Sequence, residues 1–113
     1  MAGEMGMTLD EYVTWAAGVG ADRRAGVPEG RTLLEDALAF AGEVGEVAGV
    51  LTRWLRDGDR RRDDLTDELG DVAYYWARLC VVTGVAPSTL LARSREKIEG
   101  PLAGQRHAGQ NAV

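Results

Sequence analysis

The sequence predicts an all-α domain, a bundle of about four helices completed by oligomerisation, and three observations carry that expectation. Strand signals are nearly absent, since no alternating apolar segment is bounded by hairpin turns. Helix starts recur: Thr8 with Glu11, and Thr32 with Glu35, both have the spacing of a capping box. Downstream of these caps, the residues sort onto faces at the ~100° per residue of an α-helix.

The first box opens a helix through Tyr12, Val13 and Trp15. The stretch Gly18 to Gly30, with Gly20, Gly26 and Pro28, reads as a linker. Thr32 opens a long second helix to about Asp57. One side of it collects Leu33, Leu34, Ala37, Phe40, Ala41, Val44, Ala48, Leu51 and Leu55, an apolar stripe expected to face the core. The other collects Glu35, Asp36, Glu43, Glu46, Arg53, Trp54 and Asp57. Gly42, Gly45 and Gly49 fall along one flank, at a cost of roughly 0.8–1 kcal/mol each against alanine. Close approach of a ligand or a second backbone is one reason for such a row; tight helix packing is an equal one.

Asp57 to Asp64 is a charged turn with Gly58 placed as the residue after a helix end. A third helix runs from about Asp64 to Thr83 and stops at Gly84. Asp64, Glu68, Asp71, Tyr75 and Arg78 share one of its faces, and beyond Asp71 the rest is apolar almost all round. Such a helix belongs in the middle of an assembly. Pro87 and Ser88 open a short fourth helix through Leu90, Leu91, Arg93 and Lys97. From Gly100 the composition turns to Gly, Ala, Gln and Asn, as in a flexible tail.

At 113 residues the chain is expected to be a single domain, residues 1–113, able to bury roughly two-thirds of its unfolded surface. A net charge of −5 argues against a nucleic-acid partner. The lone Cys80 sits in an apolar run and reads as a buried small hydrophobe. No stretch reaches the ~20 apolar residues of a membrane span, and the acidic N-terminus lacks a signal-peptide pattern. The expected compartment is the cytoplasm, with no membrane contact.

Chemistry concentrates in two acid pairs, Glu43 with Glu46 and Glu68 with Asp71, each spaced i,i+3 on a helix face. A single such pair is usual on a solvated surface. Here both lie mid-helix beside apolar residues and glycines, with few basic residues in the same turns. Four carboxylates brought together raise one another's pKa and call for cations. Oxygen-only donors suit Mg²⁺ or Mn²⁺. Zinc is disfavoured, because the only His lies in the tail. Hard cations on carboxylates typically meet phosphate oxygens and activate water. Arg53, Arg56, Arg78, Arg93 and Lys97 are candidates to complete a polyphosphate site, and Trp54 and Tyr75 to stack on a base. Trp15, Tyr74 and Trp76 are assigned to packing.

From Leu33 to Lys97 the chain resembles the MazG-like all-α nucleoside triphosphate pyrophosphohydrolases, most densely in GEVGEVAGVLTRWLRDG (Gly42 to Gly58) and ELGDVAYYWARL (Glu68 to Leu79). The resemblance implies Glu43, Glu46, Glu68 and Asp71 as catalytic metal ligands. It also implies Mg²⁺-dependent cleavage between the α and β phosphates of a (deoxy)nucleoside triphosphate, and a house-cleaning role. Gly42 replaces the motif's first Glu, as in the branch that resembles the dCTP pyrophosphatases. Tyr75 matches an aromatic near the substrate in that branch, Trp54 falls one residue from another, and Ser94 stands where an Asn precedes Lys97. The expected substrate contacts are thus Trp54, Tyr75, Arg53, Arg56, Arg78 and Lys97, and the expected assembly is a homodimer or homotetramer. A non-enzymatic nucleotide-binding or scaffold module is the alternative. A phosphoribosyl-ATP pyrophosphatase is a minor one, because Tyr75-Trp76 replaces that family's aromatic-His.

Overall fold

Thr8 starts the first helix as its sequence requires. Its hydroxyl accepts a hydrogen bond from the Glu11 N–H at 3.1 Å, and Glu11 Oε1 accepts one from the Thr8 N–H at 3.0 Å. In the computed structural model, which describes the backbone of residues 6–112 and the side chains of residues 6–100, helix α1 spans Leu9–Arg23. It runs straight through Gly18 and Gly20, where the sequence predicts a linker. Gly20 is buried against α3, and a Cβ there would lie 1.9 Å from Arg78 Nη1. This glycine makes room for a side chain rather than ending the helix.

Helix α2 spans Glu29–Asp57 and begins a turn before the expected cap. The Thr32 N–H already donates to the Pro28 carbonyl at 3.0 Å, so the Thr32–Glu35 box does not form. Thr32 is buried instead, and Glu35 pairs with Arg24 and Arg31. At the far end the Gly58 N–H donates to the Trp54 carbonyl, and Gly58–Arg61 forms a short 3₁₀ turn. Helix α3 follows over Arg62–Thr83 and stops at Gly84, which is left-handed at φ 72°. Helix α4 spans Pro87–Ala112, well beyond the short fourth helix expected. The flexible tail expected from about Gly100 falls on residues whose side chains lie outside the described ones.

The fold is all-α, with no strand among the described residues. As its composition implies, α3 lies in the middle and packs against both α1 and α2, while α4 touches mainly α1. Ala16, Val50, Ala77 and Cys80 are the buried apolar residues where these helices meet. No helix among the described residues is long and apolar enough to cross a membrane.

The orientation of α2 reverses the expected one. Thr32, Asp36, Ala39, Phe40, Glu43, Val47, Val50 and Trp54 form its inward face, buried or half-buried toward α3. Of the stripe expected to fill the core, only Phe40 turns in. Leu34 is 59 % exposed, Leu51 46 % and Leu55 89 %. The reason is electrostatic as well as apolar: Asp36 is drawn inward by Arg78 of α3, at 3.3 Å, and by Arg24, at 3.0 Å. The radius of gyration is 18.3 Å, against the ~13 Å of a compact chain of this length.

Candidate metal and substrate site

Because the acid-bearing side of α2 faces α3, the two acid pairs are set opposite one another. Glu43 of α2 and Glu68 and Asp71 of α3 place carboxylate oxygens within 4.8 Å of one another. Glu43 and Glu68 are half-buried and Asp71 is exposed. The fourth acid, Glu46, is exposed and outside this trio, yet near enough that its charge acts on Glu68.

Glu68 registers the crowding. Its pKa is raised first by burial, then by the charges of Glu43, Glu46 and Asp71 and a hydrogen bond with Glu43. Among the described residues none of the four acids is held in a salt bridge. The donors are all carboxylate oxygens, without His or Cys, a set that fits a hard divalent cation and not zinc.

The cations expected around this site are placed otherwise. Arg78 is 4 % exposed and held inside the protein, its Nε ion-paired with Asp36 and its Nη1 donating to the Ala16 carbonyl at 3.4 Å. It ties α1, α2 and α3 together. Arg56 is exposed but lies fork-on to Asp57, at 2.8 and 3.0 Å. Arg53 is exposed on α2, its Nη1 passing close to Gly49. Lys97 and Arg93 are exposed on α4, beside a hollow that Ser94 also lines. Trp54 is half-buried near the α2–α3 turn with the Arg62 guanidinium 5.5 Å over its ring.

Tyr75, one turn past Asp71, belongs to a run of rings. Tyr12 and Trp15 have centroids 5.4 Å apart, Trp15 and Tyr74 5.9 Å, and Tyr74 and Tyr75 5.0 Å. Burial raises the Tyr12 hydroxyl pKa, and Tyr74 and Asp71 push it further, so this run reaches the acids. Sequence alone assigns Trp15 and Tyr74 to packing. The i,i+3 spacing of Asp71 and Tyr74 is the signal that places Tyr74 beside them. Asp36 was also missed as an anchor, since its partner Arg78 is far away in sequence.

No family model matches the chain, and no solved structure matches it. A protein named Gene 37 protein, from Mycobacterium phage L5, is 39 % identical over 67 residues. The match covers 55 % of this chain and 59 % of the phage protein, so the chain spans little more than half of that relative's length.

Proposed function

We propose that the chain is a Mg²⁺-dependent nucleoside triphosphate pyrophosphohydrolase of the MazG-like type. The observation that carries this reading is the convergence of Glu43, Glu68 and Asp71 from two facing helices. Helix i,i+3 pairs on one face each become a four-carboxylate rim only when the helices are apposed this way, and Glu46 is one turn from Glu43 to complete it. Glu43, Glu46, Glu68 and Asp71 would hold Mg²⁺ or Mn²⁺. When bound, the ion offsets the phosphate charge and eases ionisation of water. One carboxylate orients water and takes its proton as the α–β phosphoanhydride opens, giving a nucleoside monophosphate and pyrophosphate. Tyr75 follows Asp71 by one turn of α3, and Arg53, Trp54 and Lys97 remain the candidates for substrate contact. Arg56 and Arg78 have acid partners of their own and are not needed for it.

The engagement of those two arginines favours, as second reading, a non-enzymatic nucleotide-binding or scaffold module. The test is pyrophosphate release from a panel of canonical and modified triphosphates with Mg²⁺. Turnover is expected, abolished in Glu46→Gln and Asp71→Asn with helicity nearly unchanged. A folded protein that turns over no triphosphate sinks the enzyme reading.

A further inference from the structure

Two charged residues are buried away from the candidate site: Asp36 of α2, 1 % exposed, and Arg78 of α3, 4 % exposed. Asp36 Oδ2 and Arg78 Nε lie 3.3 Å apart. As a stabilising contact the pair is poor. Asp36 Oδ2 has no hydrogen-bond partner among the described residues, and the attraction of two buried charges does little more than offset the loss of their hydration. Apolar side chains of similar volume would serve the core at least as well. The best-attested use of such a pair is to select one arrangement of the elements that carry it.

The spacing shows which arrangement is selected. Asp36 stands seven residues before Glu43 on α2, and Arg78 seven residues after Asp71 on α3. Seven residues make two turns, about 10.5 Å, and return to nearly the same face. Glu46 and Glu68 continue the pattern, three residues beyond Glu43 and three before Asp71. The two helices run antiparallel from their short turn, so the Asp36–Arg78 rung and the acid rungs keep step. Only the first rung attracts. The acids repel one another, as the raised pKa of Glu68 records, and α2 carries a competing face, an exposed strip lined by Leu34, Leu38, Leu51 and Leu55. Turning that strip onto α3 would bury leucines in place of the acids and carry the acids apart. It would also take Asp36 away from Arg78, which stays anchored over Gly20 and on the Ala16 carbonyl. A buried guanidinium without its acid opposes that rotation.

We propose that Asp36 and Arg78 are positioning residues for the acid site, holding α2 in the one rotation on α3 that sets Glu43 and Glu46 opposite Asp71 and Glu68. Both act through their helices, two turns from the nearest acid, and neither is a catalytic residue. The cation role of the acids rests on the pyrophosphohydrolase reading; the rotation of α2 does not.

The full chain carrying Asp36→Leu/Arg78→Met tests the assignment, because stability and positioning separate in it. Its urea midpoint is expected to stay close to that of wild type, with helical circular dichroism retained. Its Mn²⁺ affinity, read by electron paramagnetic resonance, is expected to fall roughly 10- to 100-fold. The rotation is read without metal, by thiol labelling of Val50→Cys in a Cys80→Ala background. Val50 is 2 % exposed, so this cysteine is expected to be protected while Asp36 and Arg78 are present and to lose that protection when both are replaced. Matched urea midpoints separate this loss from a general loosening. A folded double variant with wild-type Mn²⁺ affinity, or with Val50→Cys still protected, overturns the proposal and makes the pair a packing feature alone. Loss of protection in a chain whose wild type binds no Mn²⁺ upholds the positioning of α2 and sinks the cation reading instead. Should the double variant fail to fold, Asp36→Asn keeps the side chain's size, removes its charge and carries the same two readouts.

Discussion

At Glu68 the folded protein disfavours the charged form, because burial and three neighbouring carboxylates all oppose it. A group whose pKa rises on folding weakens the fold wherever it is ionised. Glu68→Gln is therefore expected to melt higher than wild type in the metal-free state at neutral pH. Millimolar Mg²⁺ is expected to raise the wild-type melting temperature by mass action and to leave the Glu68→Gln variant nearly unmoved. A wild type indifferent to Mg²⁺ in differential scanning fluorimetry would reduce the trio to surface acids. Arg78 and Asp36 make the opposite case, buried opposite charges 3.3 Å apart, with Arg24 as a second partner of the acid. Arg78→Met leaves the Asp36 carboxylate, 1 % exposed, with Arg24 as its remaining partner, and is expected to lower the free energy of unfolding by about 1–3 kcal/mol. Adding Asp36→Leu removes the half-paired buried charge and is expected to restore most of that loss in urea denaturation.

Among the elements, the turn joining α2 to α3 fixes where the two acid pairs face. Gly58 sits there at φ 61° and ψ −139°, a region essentially closed to residues with a Cβ. Gly58→Ala is expected to cost about 1–3 kcal/mol in chemical denaturation; an unchanged midpoint would show that the turn relaxes freely. Beside it, hydrogen bonds from Arg56 and Arg61 hold the Asp57 carboxyl far below its usual pKa of 3.8. A carboxylate depressed in this way contributes stability above its unfolded pKa, and the contribution fades as the pH falls below it. Asp57→Asn is thus expected to melt below wild type at pH 7, with the gap closing in scans taken below pH 3.8. The elements also show what sequence can and cannot reveal. The Thr8–Glu11 cap and the Gly84 stop were legible because each is settled within a few residues. The acid pairs were legible for the same reason, their spacing being a property of one helix, and three of the four acids do converge. The length of α1 and the direction of α2 were not. Each depends on where Arg78 docks, against Gly20 of α1 and Asp36 of α2, and no local pattern records a meeting across the fold.

For the whole molecule, the acids and the exposed α2 strip lie on different sides of one helix. The trio lies between α2 and α3 of one protomer, whereas Leu34 to Leu55 line the opposite side of α2. Glu43 and Val44 are neighbours in the chain, yet adjacent residues of a helix point ~100° apart, so one can serve the site and the other an interface. If two copies pair on this strip, Ala41→Lys/Ala48→Lys separates them and is expected to lower the melting temperature. It leaves every acid in place, so the variant is expected to retain an upward Mg²⁺ shift comparable to that of wild type. Measuring both shifts in one fluorimetry series resolves the matter. A monomeric, folded variant that no longer responds to Mg²⁺ would mean that the carboxylates are held in register by the second copy. The cation site would then belong to the assembly and not to the protomer.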